Sequence, residues 1–172
     1  KLGSIQKAID ALDEIFNMRG NVMPFTEDNN LKLVAQMADG SIIEGEHHIT
    51  MCNKKIKSVS YKEKPVVTEE ALQAIREADA IILSMGSLFT SIIPNLICKE
   101  IIKEIDKSTA KITYVCNLMT QPGETDDFTV SDHIKLLNSS FDIALFSFLG
   151  CLILFSFLGI RFFLSLISLS FL

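Results

Sequence analysis

Two short, largely apolar runs dominate the middle of the chain, AIILSM at 80–85 and KITYVC at 111–116. Segments whose apolar residues recur at helical spacing precede, separate and follow these runs. Strands without a polar face are typical of a parallel sheet whose two faces are both covered by helices. The sequence therefore predicts an α/β fold built on a mainly parallel sheet.

Four helices are predicted around this sheet. The first begins with Ser4 as its N-cap and ends near Gly20, and TEEALQAIREAD gives a second helix with Thr68 as its N-cap. Two more helices are expected at 91–105 and 129–137. Helices thus flank both apolar runs, as a βαβ arrangement requires.

A β-hairpin appendage is predicted in the first third of the chain. LKLVAQM and IIEGEHHIT are joined by Asp39-Gly40, the dipeptide that most favours a two-residue turn. NVMPFT and KIKSVSYK also look extended, and lysines border the latter. His47 and His48 would then face opposite sides of a strand, which makes them poor joint metal ligands.

Composition changes abruptly near residue 141. Residues 1–140 are predicted to form part of one domain, whereas residues 141–172 are rich in Phe, Leu and Ser and are not assigned to it. Ile143 to Ile160 is an uncharged run whose length reaches the lower edge for a membrane span. A membrane anchor, a buried C-terminal segment and a non-native continuation stay open, and no regular continuation of the fold is expected there.

Charge and cysteine spacing restrict the classes of partner. The 21 acidic and 16 basic residues give a net charge of −5, which disfavours binding to nucleic acid and, for residues 1–140, to anionic membranes. Four widely spaced cysteines suggest neither a zinc site nor a disulfide framework. We therefore expect a cytoplasmic protein with reduced thiols, and the sequence leaves a homo-oligomer open.

Two polar loops follow the predicted strands. They lie at the carboxyl ends of the strands of a parallel sheet, where ligands gather. The first loop, residues 86–95, offers Gly86 for close backbone approach, hydroxyls at Ser87, Thr90 and Ser91, and Pro94 in the first helical turn. Backbone N–H groups at such a helix start can bind a phosphate, although Gly and Ser also cap many helices that bind nothing.

The second loop, residues 117–125, carries more amides and hydroxyls than a connection needs. Pro122-Gly123 indicates a turn, and Thr129 with Asp132 forms a capping box for the helix that follows. Asp126, Asp127 and Asp132 could hold Mg²⁺ beside a diphosphate, but solvated turn acids are the commoner situation. For His133 a structural or capping role is favoured over catalysis. The hydrogen-bonding side chains of this loop are Asn117, Thr120, Gln121, Glu124 and Thr125.

These loops carry a resemblance to a known family. GSLFTSIIPNLI and YVCNLMTQPGETDDFTVSDHI, with NVMPFTEDNNLKLVAQMADGSIIEGEHHIT upstream, closely resemble the bacterial gluconeogenesis factors, a branch of the 2-phospho-L-lactate transferase-like superfamily. The resemblance implies a Rossmann-like three-layer α/β/α domain, of which this chain looks like a fragment because the family's Gly-rich phosphate loop has no counterpart here.

What the resemblance implies about function is a cytoplasmic regulatory protein that binds UDP-N-acetylglucosamine and is linked to carbon metabolism and cell shape. The alternative is a phosphotransferase that uses a nucleoside diphosphate carrier, so catalysis is left open, with a binding protein favoured. No particular cofactor is implied, and Mg²⁺ with a nucleotide diphosphate stays open. The implied ligand-binding residues are Gly86, Ser87, Leu88, Thr90, Ser91, Asn95, Asn117, Met119, Thr120, Gln121, Glu124 and Thr125.

Specific placements follow from this site. The second loop would meet the uridine, ribose and sugar groups with directional donors and acceptors, and N–H groups at the start of the 86–95 helix would meet the diphosphate. Asn117 and Thr120 should lie past the carboxyl end of a central parallel strand, with side chains open to a cleft.

Overall fold

The computed structural model describes residues 4–140 and the backbone of residues 162–165. Helices and strands alternate along most of this length. The helices are Ile5–Phe16 (α1), Glu46–Met51 (α2), Glu69–Arg76 (α3), Ile93–Leu96 (α4), Lys99–Lys107 (α5) and Val130–Ser140 (α6), with a π-helix at Leu88–Ile92; the strands are Leu33–Met37 (β1), Ile42–Glu44 (β2), Ile56–Tyr61 (β3), Ala80–Leu83 (β4), Lys111–Tyr114 (β5) and Phe162–Ser165 (β6).

A parallel sheet forms where the apolar runs predicted it. Its strand order is β5-β4-β6, and β4 pairs in parallel with β5 from Ala80 opposite Lys111 to Leu83 opposite Tyr114. Ile81 and Leu83 of β4 are buried. The predicted α/β class with a mainly parallel sheet and an antiparallel appendage is confirmed.

The third strand of this sheet comes from the segment that the sequence analysis leaves outside the domain. Phe162–Ser165 pairs in parallel with β4 on the side opposite β5. A short apolar run suits this place, because the strands of a parallel sheet covered on both faces are rich in apolar residues. With this strand, β4 has a partner on each side. The expectation of no regular continuation beyond residue 141 is therefore wrong at these four residues.

The rest of that segment, including the uncharged run from Ile143 to Ile160, lies outside the described residues. Within the part of the chain that the structure does describe, no helix is long and apolar enough to cross a bilayer.

The appendage is an antiparallel sheet with strand order β2-β1-β3. Its hairpin turn is one residue longer than predicted, because the backbone N–H of Met37 donates to Ser41 O at 2.8 Å and that of Gly40 donates to Met37 O at 3.0 Å. Gly40 has φ +85°, which fits a three-residue loop with glycine in the left-handed region. NVMPFT forms no strand.

His47 and His48 lie on helix α2 and not on a strand, which corrects the sequence interpretation. Burial of Ile49 stabilises this helix, because a helical turn after β2 places the Ile49 side chain in the core while both histidines stay exposed. The His48 Nδ1 atom lies 3.0 Å from the Glu44 carbonyl oxygen, with which it forms a hydrogen bond.

Local capping chemistry fixes most helix starts as predicted. The Ser4 hydroxyl accepts the backbone N–H of Lys7 at 3.2 Å, and Thr68 accepts that of Ala71 at 3.4 Å. Helix α1 ends at Phe16, before the predicted Gly20, because Asn17 adopts the left-handed conformation that closes a helix.

The helix predicted at 91–105 is interrupted. The chain passes from the π-helix into α4, with Pro94 in its first turn, and the extended backbone of Cys98 then separates α4 from α5. Ile101 and Ile105 of α5 are buried beyond this break. One core of buried side chains joins the two sheets and includes Ala35 and Met37 of β1, Ile81 and Leu83 of β4, and Leu88 of the π-helix.

Candidate functional site

The first loop and the second loop meet beyond the carboxyl ends of β4 and β5. The Asn117 side-chain amide donates to the Gly86 carbonyl oxygen at 2.9 Å and so joins the two loops directly. Asn117 is half-buried, Thr120 is exposed, and neither belongs to the hydrophobic core. Their predicted position past a parallel strand agrees with the structure, but β5 is at the edge of the described strands and β4 is at the centre.

Glu124 is the main polar contact between the loops. Its side chain is 4% exposed, and its Oε2 atom accepts hydrogen bonds from the Ser87 hydroxyl and, at 3.2 Å, from the backbone N–H of Phe89. Thr90 is 2% exposed, and its hydroxyl donates to Ser87 Oγ at 2.7 Å and lies 3.4 Å from Glu124 Oε1. A buried carboxylate thus occupies the donor groups of the first loop.

This arrangement changes the role expected for the first loop. The sequence places a ligand phosphate at these donors, but the second loop supplies an anion of its own. The Ser87 hydroxyl and the Phe89 N–H donate to Glu124, and the Thr90 hydroxyl donates to Ser87. A carboxylate satisfies the same hydroxyl and N–H donors that a phosphate oxygen would use. In this structure these donors are therefore taken by the protein itself.

The second loop is ordered by its own hydrogen bonds. The backbone N–H of Gln121 donates to the Thr125 hydroxyl at 2.8 Å, and the backbone N–H of Thr125 donates to Gln121 O at 2.9 Å. The backbone N–H of Gly123 donates to Asp126 Oδ2 at 2.7 Å. Thr125 is therefore a buried support of the loop, and Gln121 is half-buried at its edge.

Gly123 fastens the second loop to the antiparallel appendage. Its carbonyl oxygen accepts the backbone N–H of Ile56 at 3.3 Å. Gly123 has φ +80°, and a Cβ atom there would lie 2.9 Å from Asn53 Cα, so only glycine fits without a shift of backbone. Sequence reasoning missed Asn53 and Ile56 as partners of the loop, and no local motif connects residues so far apart.

The other predicted residues divide into buried supports and exposed side chains. Leu88 is part of the core, and the Asn95 amide on α4 donates to Ser91 O in the preceding π-helix at 2.7 Å. Met119 is 80% exposed. Its neighbour Leu118, which the sequence analysis did not select, is 95% exposed, so apolar side chains flank the exposed Thr120.

His133 has the structural role that the sequence favoured. It is buried on α6, its Nδ1 atom forms a 2.8 Å hydrogen bond with the Tyr114 hydroxyl, and the Phe128 ring lies edge-on at 5.5 Å. Burial lowers the pKa of His133, an effect that Asp132 partly opposes, and burial together with Cys116 raises the pKa of Tyr114. The cluster joins β5 to α6.

The acids near the second loop do not fit a metal site. Asp126 accepts the Gly123 N–H, and Asp132 accepts both the backbone N–H and the hydroxyl of Thr129 in the predicted capping box, at 2.9 and 2.6 Å. Across residues 4–140, no three His, Cys, Asp or Glu side chains are grouped so that they could hold a metal ion.

A cleft of about 340 Å³ opens elsewhere, between α1 and the start of α3. It contains none of the predicted site residues. Its lining includes the carboxylates of Glu27, Asp28 and Glu70 and the apolar side chains of Val66 and Val67. Such a lining disfavours an anionic ligand.

Comparison with known proteins identifies the family. A family model described as 2-phospho-L-lactate transferase CofD matches residues 1–154. The chain belongs to the CofD family. It is 41% identical over 136 residues to a protein named gluconeogenesis factor from Halalkalibacterium halodurans, and 41% identical over 137 residues to one from Bacillus subtilis. The resemblance to the gluconeogenesis factors is confirmed.

A solved structure has the same fold. The crystal structure of a UPF0052 family member from Bacillus halodurans matches with a TM-score of 0.76 and 39% identity, and the match covers 83% of this chain and 46% of that one. The matched part likewise makes up 42% of the H. halodurans relative and 78% of this chain. This CofD family chain thus spans less than half the length of these relatives.

Proposed function

We propose that the protein is a cytoplasmic regulatory protein that binds a UDP-sugar, UDP-N-acetylglucosamine, and is linked to carbon metabolism and cell shape. One observation carries the proposal: two polar loops follow adjacent parallel strands and are joined by the Asn117 bond to Gly86, in a chain that belongs to the CofD family. Ligands of open α/β sheets bind outside the carboxyl ends of the strands, where these two loops lie.

The exposed and half-buried side chains of the second loop are the proposed ligand contacts. The amide of Gln121 and the hydroxyl of Thr120 can donate to and accept from uridine, ribose and sugar groups. The amide nitrogen of Asn117 already donates to Gly86 and Gln121, so this residue offers its amide oxygen as an acceptor. Met119 offers an exposed apolar surface beside them, which suits the face of a base or a sugar ring.

The buried residues of the two loops are proposed as supports for those contacts. Their hydrogen bonds are made within the protein, so they hold the loop geometry without meeting a ligand themselves. This group comprises Leu88, Thr90, Glu124 and Thr125. The remaining predicted residues are half-buried and are assigned neither to the ligand contacts nor to the buried supports. They are Gly86, Ser87, Ser91 and Asn95.

Calorimetric titration of the full-length protein with UDP-N-acetylglucosamine tests the proposal. Wild-type protein should bind, and Thr120→Ala and Gln121→Ala should each weaken binding by about two-fold to ten-fold, the worth of a neutral hydrogen bond. Ser58→Ala, an exposed serine on β3, is the matched control and should leave affinity unchanged. Binding that is absent, or equal in all four proteins, would contradict the proposed site.

A transferase that uses a nucleoside diphosphate carrier is the second candidate. The observation that favours it is the description of the matching family model as 2-phospho-L-lactate transferase. Titration with guanosine nucleotides, followed by a product assay with and without Mg²⁺, separates the two functions. Tight UDP-sugar binding without turnover supports the regulatory protein, whereas metal-dependent product formation supports the transferase.

A further inference from the structure

The Glu124 carboxylate is buried without a cationic partner in residues 4–140. Its donors there are the Ser87 hydroxyl and the backbone N–H of Phe89. The Thr90 hydroxyl donates to Ser87 Oγ and lies 3.4 Å from the other carboxylate oxygen. A buried carboxylate is tolerated when several donors satisfy it, and hydrogen bonds to a charged acceptor are stronger than neutral ones. The first loop therefore presents donors that bind an anion, and the anion that they bind is the Glu124 carboxylate of the same protein.

A second anion at the same donors would meet two obstacles. The hydroxyl and N–H protons that could bind it already point to Glu124. The negative charge of Glu124 would also repel a phosphate, and the repulsion is strong because a buried charge is poorly screened by solvent. The exposed side of the site, by contrast, carries the uncharged polar groups of Asn117, Thr120 and Gln121.

We propose that Glu124 is a built-in anion that fills the donor set of the first loop, so that the two-loop site takes an uncharged polar portion of its ligand. That portion is a nucleoside or a sugar with its hydroxyl and amide groups. The phosphates of the ligand are then bound by another part of the full-length protein. The assignment of the ligand portion rests on the proposed function, whereas the built-in anion does not.

Chemical rescue tests the built-in anion without any nucleotide. Glu124→Ala in the full-length protein removes the carboxylate and leaves its two donors, the Ser87 hydroxyl and the Phe89 N–H, facing a space that formate can enter. We expect a lower melting temperature for Glu124→Ala and a saturable recovery when sodium formate is added, with sodium chloride at equal ionic strength giving no recovery. Glu63→Ala, an exposed acid, is the control and should respond to neither salt.

Two results of this experiment would overturn the built-in anion. One is a Glu124→Ala variant as stable as wild type, and the other is an equal response to formate and chloride. If Glu124→Ala does not fold, Glu124→Gln takes its place, because it keeps the shape of the side chain and removes the charge. Glu124→Gln should still melt at a lower temperature than Glu63→Ala, and equal melting temperatures would contradict the proposal.

The ligand portion is tested with Glu124→Gln by calorimetry. If the phosphates bind elsewhere, Glu124→Gln should not strengthen the binding of UDP-N-acetylglucosamine, and N-acetylglucosamine or uridine alone should compete for the site. If a ligand phosphate displaces Glu124, removal of the competing charge should strengthen binding by about ten-fold or more, the worth of a charge-assisted hydrogen bond. That result would overturn the assignment.

The two proposals fail in distinguishable ways. A wild-type protein that binds no UDP-N-acetylglucosamine would refute the proposed function, and with it the assignment of the ligand portion. The formate result would still decide whether Glu124 is a built-in anion, since it uses no UDP-sugar.

Discussion

Replacement of Thr90 by valine separates a supporting hydroxyl from a ligand-binding one. Thr90 is 2% exposed, and its hydroxyl donates to Ser87 Oγ at 2.7 Å. Valine keeps the shape of the side chain and removes only this donor. We expect Thr90→Val to reduce the free energy of unfolding and to leave UDP-sugar affinity nearly unchanged.

The expected loss follows from the contacts of that hydroxyl. A neutral hydrogen bond contributes about 0.5–1.5 kcal/mol, and a buried partner that is left unsatisfied costs about 1–3 kcal/mol. Ser87 keeps its bond to Glu124, so its oxygen loses one donor and remains partly satisfied. The lower ends of both ranges apply, which gives a destabilisation of about 1–2 kcal/mol.

Thr120→Val is the matched variant, because Thr120 lies in the second loop with its side chain exposed. It should leave stability within about 0.5 kcal/mol of wild type, as surface changes usually do. It should weaken UDP-sugar binding by about two-fold to ten-fold. Urea unfolding and calorimetric titration of both variants, in the full-length protein, give the two quantities.

The reverse pattern would refute the reasoning. If Thr90→Val lost affinity and kept its stability, the Thr90 hydroxyl would bind the ligand, as the sequence alone suggested. If Thr120→Val lost stability and kept its affinity, the second loop would be a structural connection and not a ligand-binding loop.

Three further predictions concern the supports of the site. Gly123→Ala should lower the free energy of unfolding by about 1 kcal/mol or more, because its φ of +80° and the 2.9 Å approach to Asn53 both exclude a Cβ atom, and a loss below about 0.3 kcal/mol in urea unfolding would contradict this. Asp132→Ala should cost about 0.5–1 kcal/mol through loss of its bonds to Thr129, an effect that would show as earlier thermal melting. The folded-state pKa of His133 is lowered, so the unfolded chain takes up a proton at a higher pH than the folded protein does. The contribution of neutral His133 to stability is therefore present above about pH 6.5 and is lost as the pH falls below that value. His133→Gln should flatten the dependence of the unfolding free energy on pH, and an unchanged pH profile would show that the residue does not titrate in this way.

Local chemistry explains which parts of the fold the sequence could predict. Strand β4 lacks a polar face, and such apolar runs are typical of a parallel sheet covered by helices, whereas β5 exposes Lys111 and Thr113 on one face. Ser4 and Thr68 cap helices through bonds to residues three positions away, so their role is visible in the sequence itself. The same holds for the capping box before α6.

Contacts between distant residues explain what the sequence could not predict. The bonds that join Glu124 to the first loop span more than thirty residues, and nothing near Glu124 indicates that Ser87 and Phe89 are its partners. Helix α2 forms where a strand was expected because burial of Ile49 outweighs the local preference. β6 was missed since composition alone could not pair residues 162–165 with β4.

The attachment of the second loop at Asn117, Gly123 and Glu124 bears on the cost of ligand binding. A free loop loses conformational entropy when a ligand orders it, and this loss subtracts directly from affinity. Here the hydrogen bonds to Gly86, to Ile56 and to the first loop restrict the backbone before any ligand arrives. The loop loses its conformational entropy when the protein folds and not when the ligand binds. A modest number of hydrogen bonds to uncharged groups of the ligand can then give appreciable affinity.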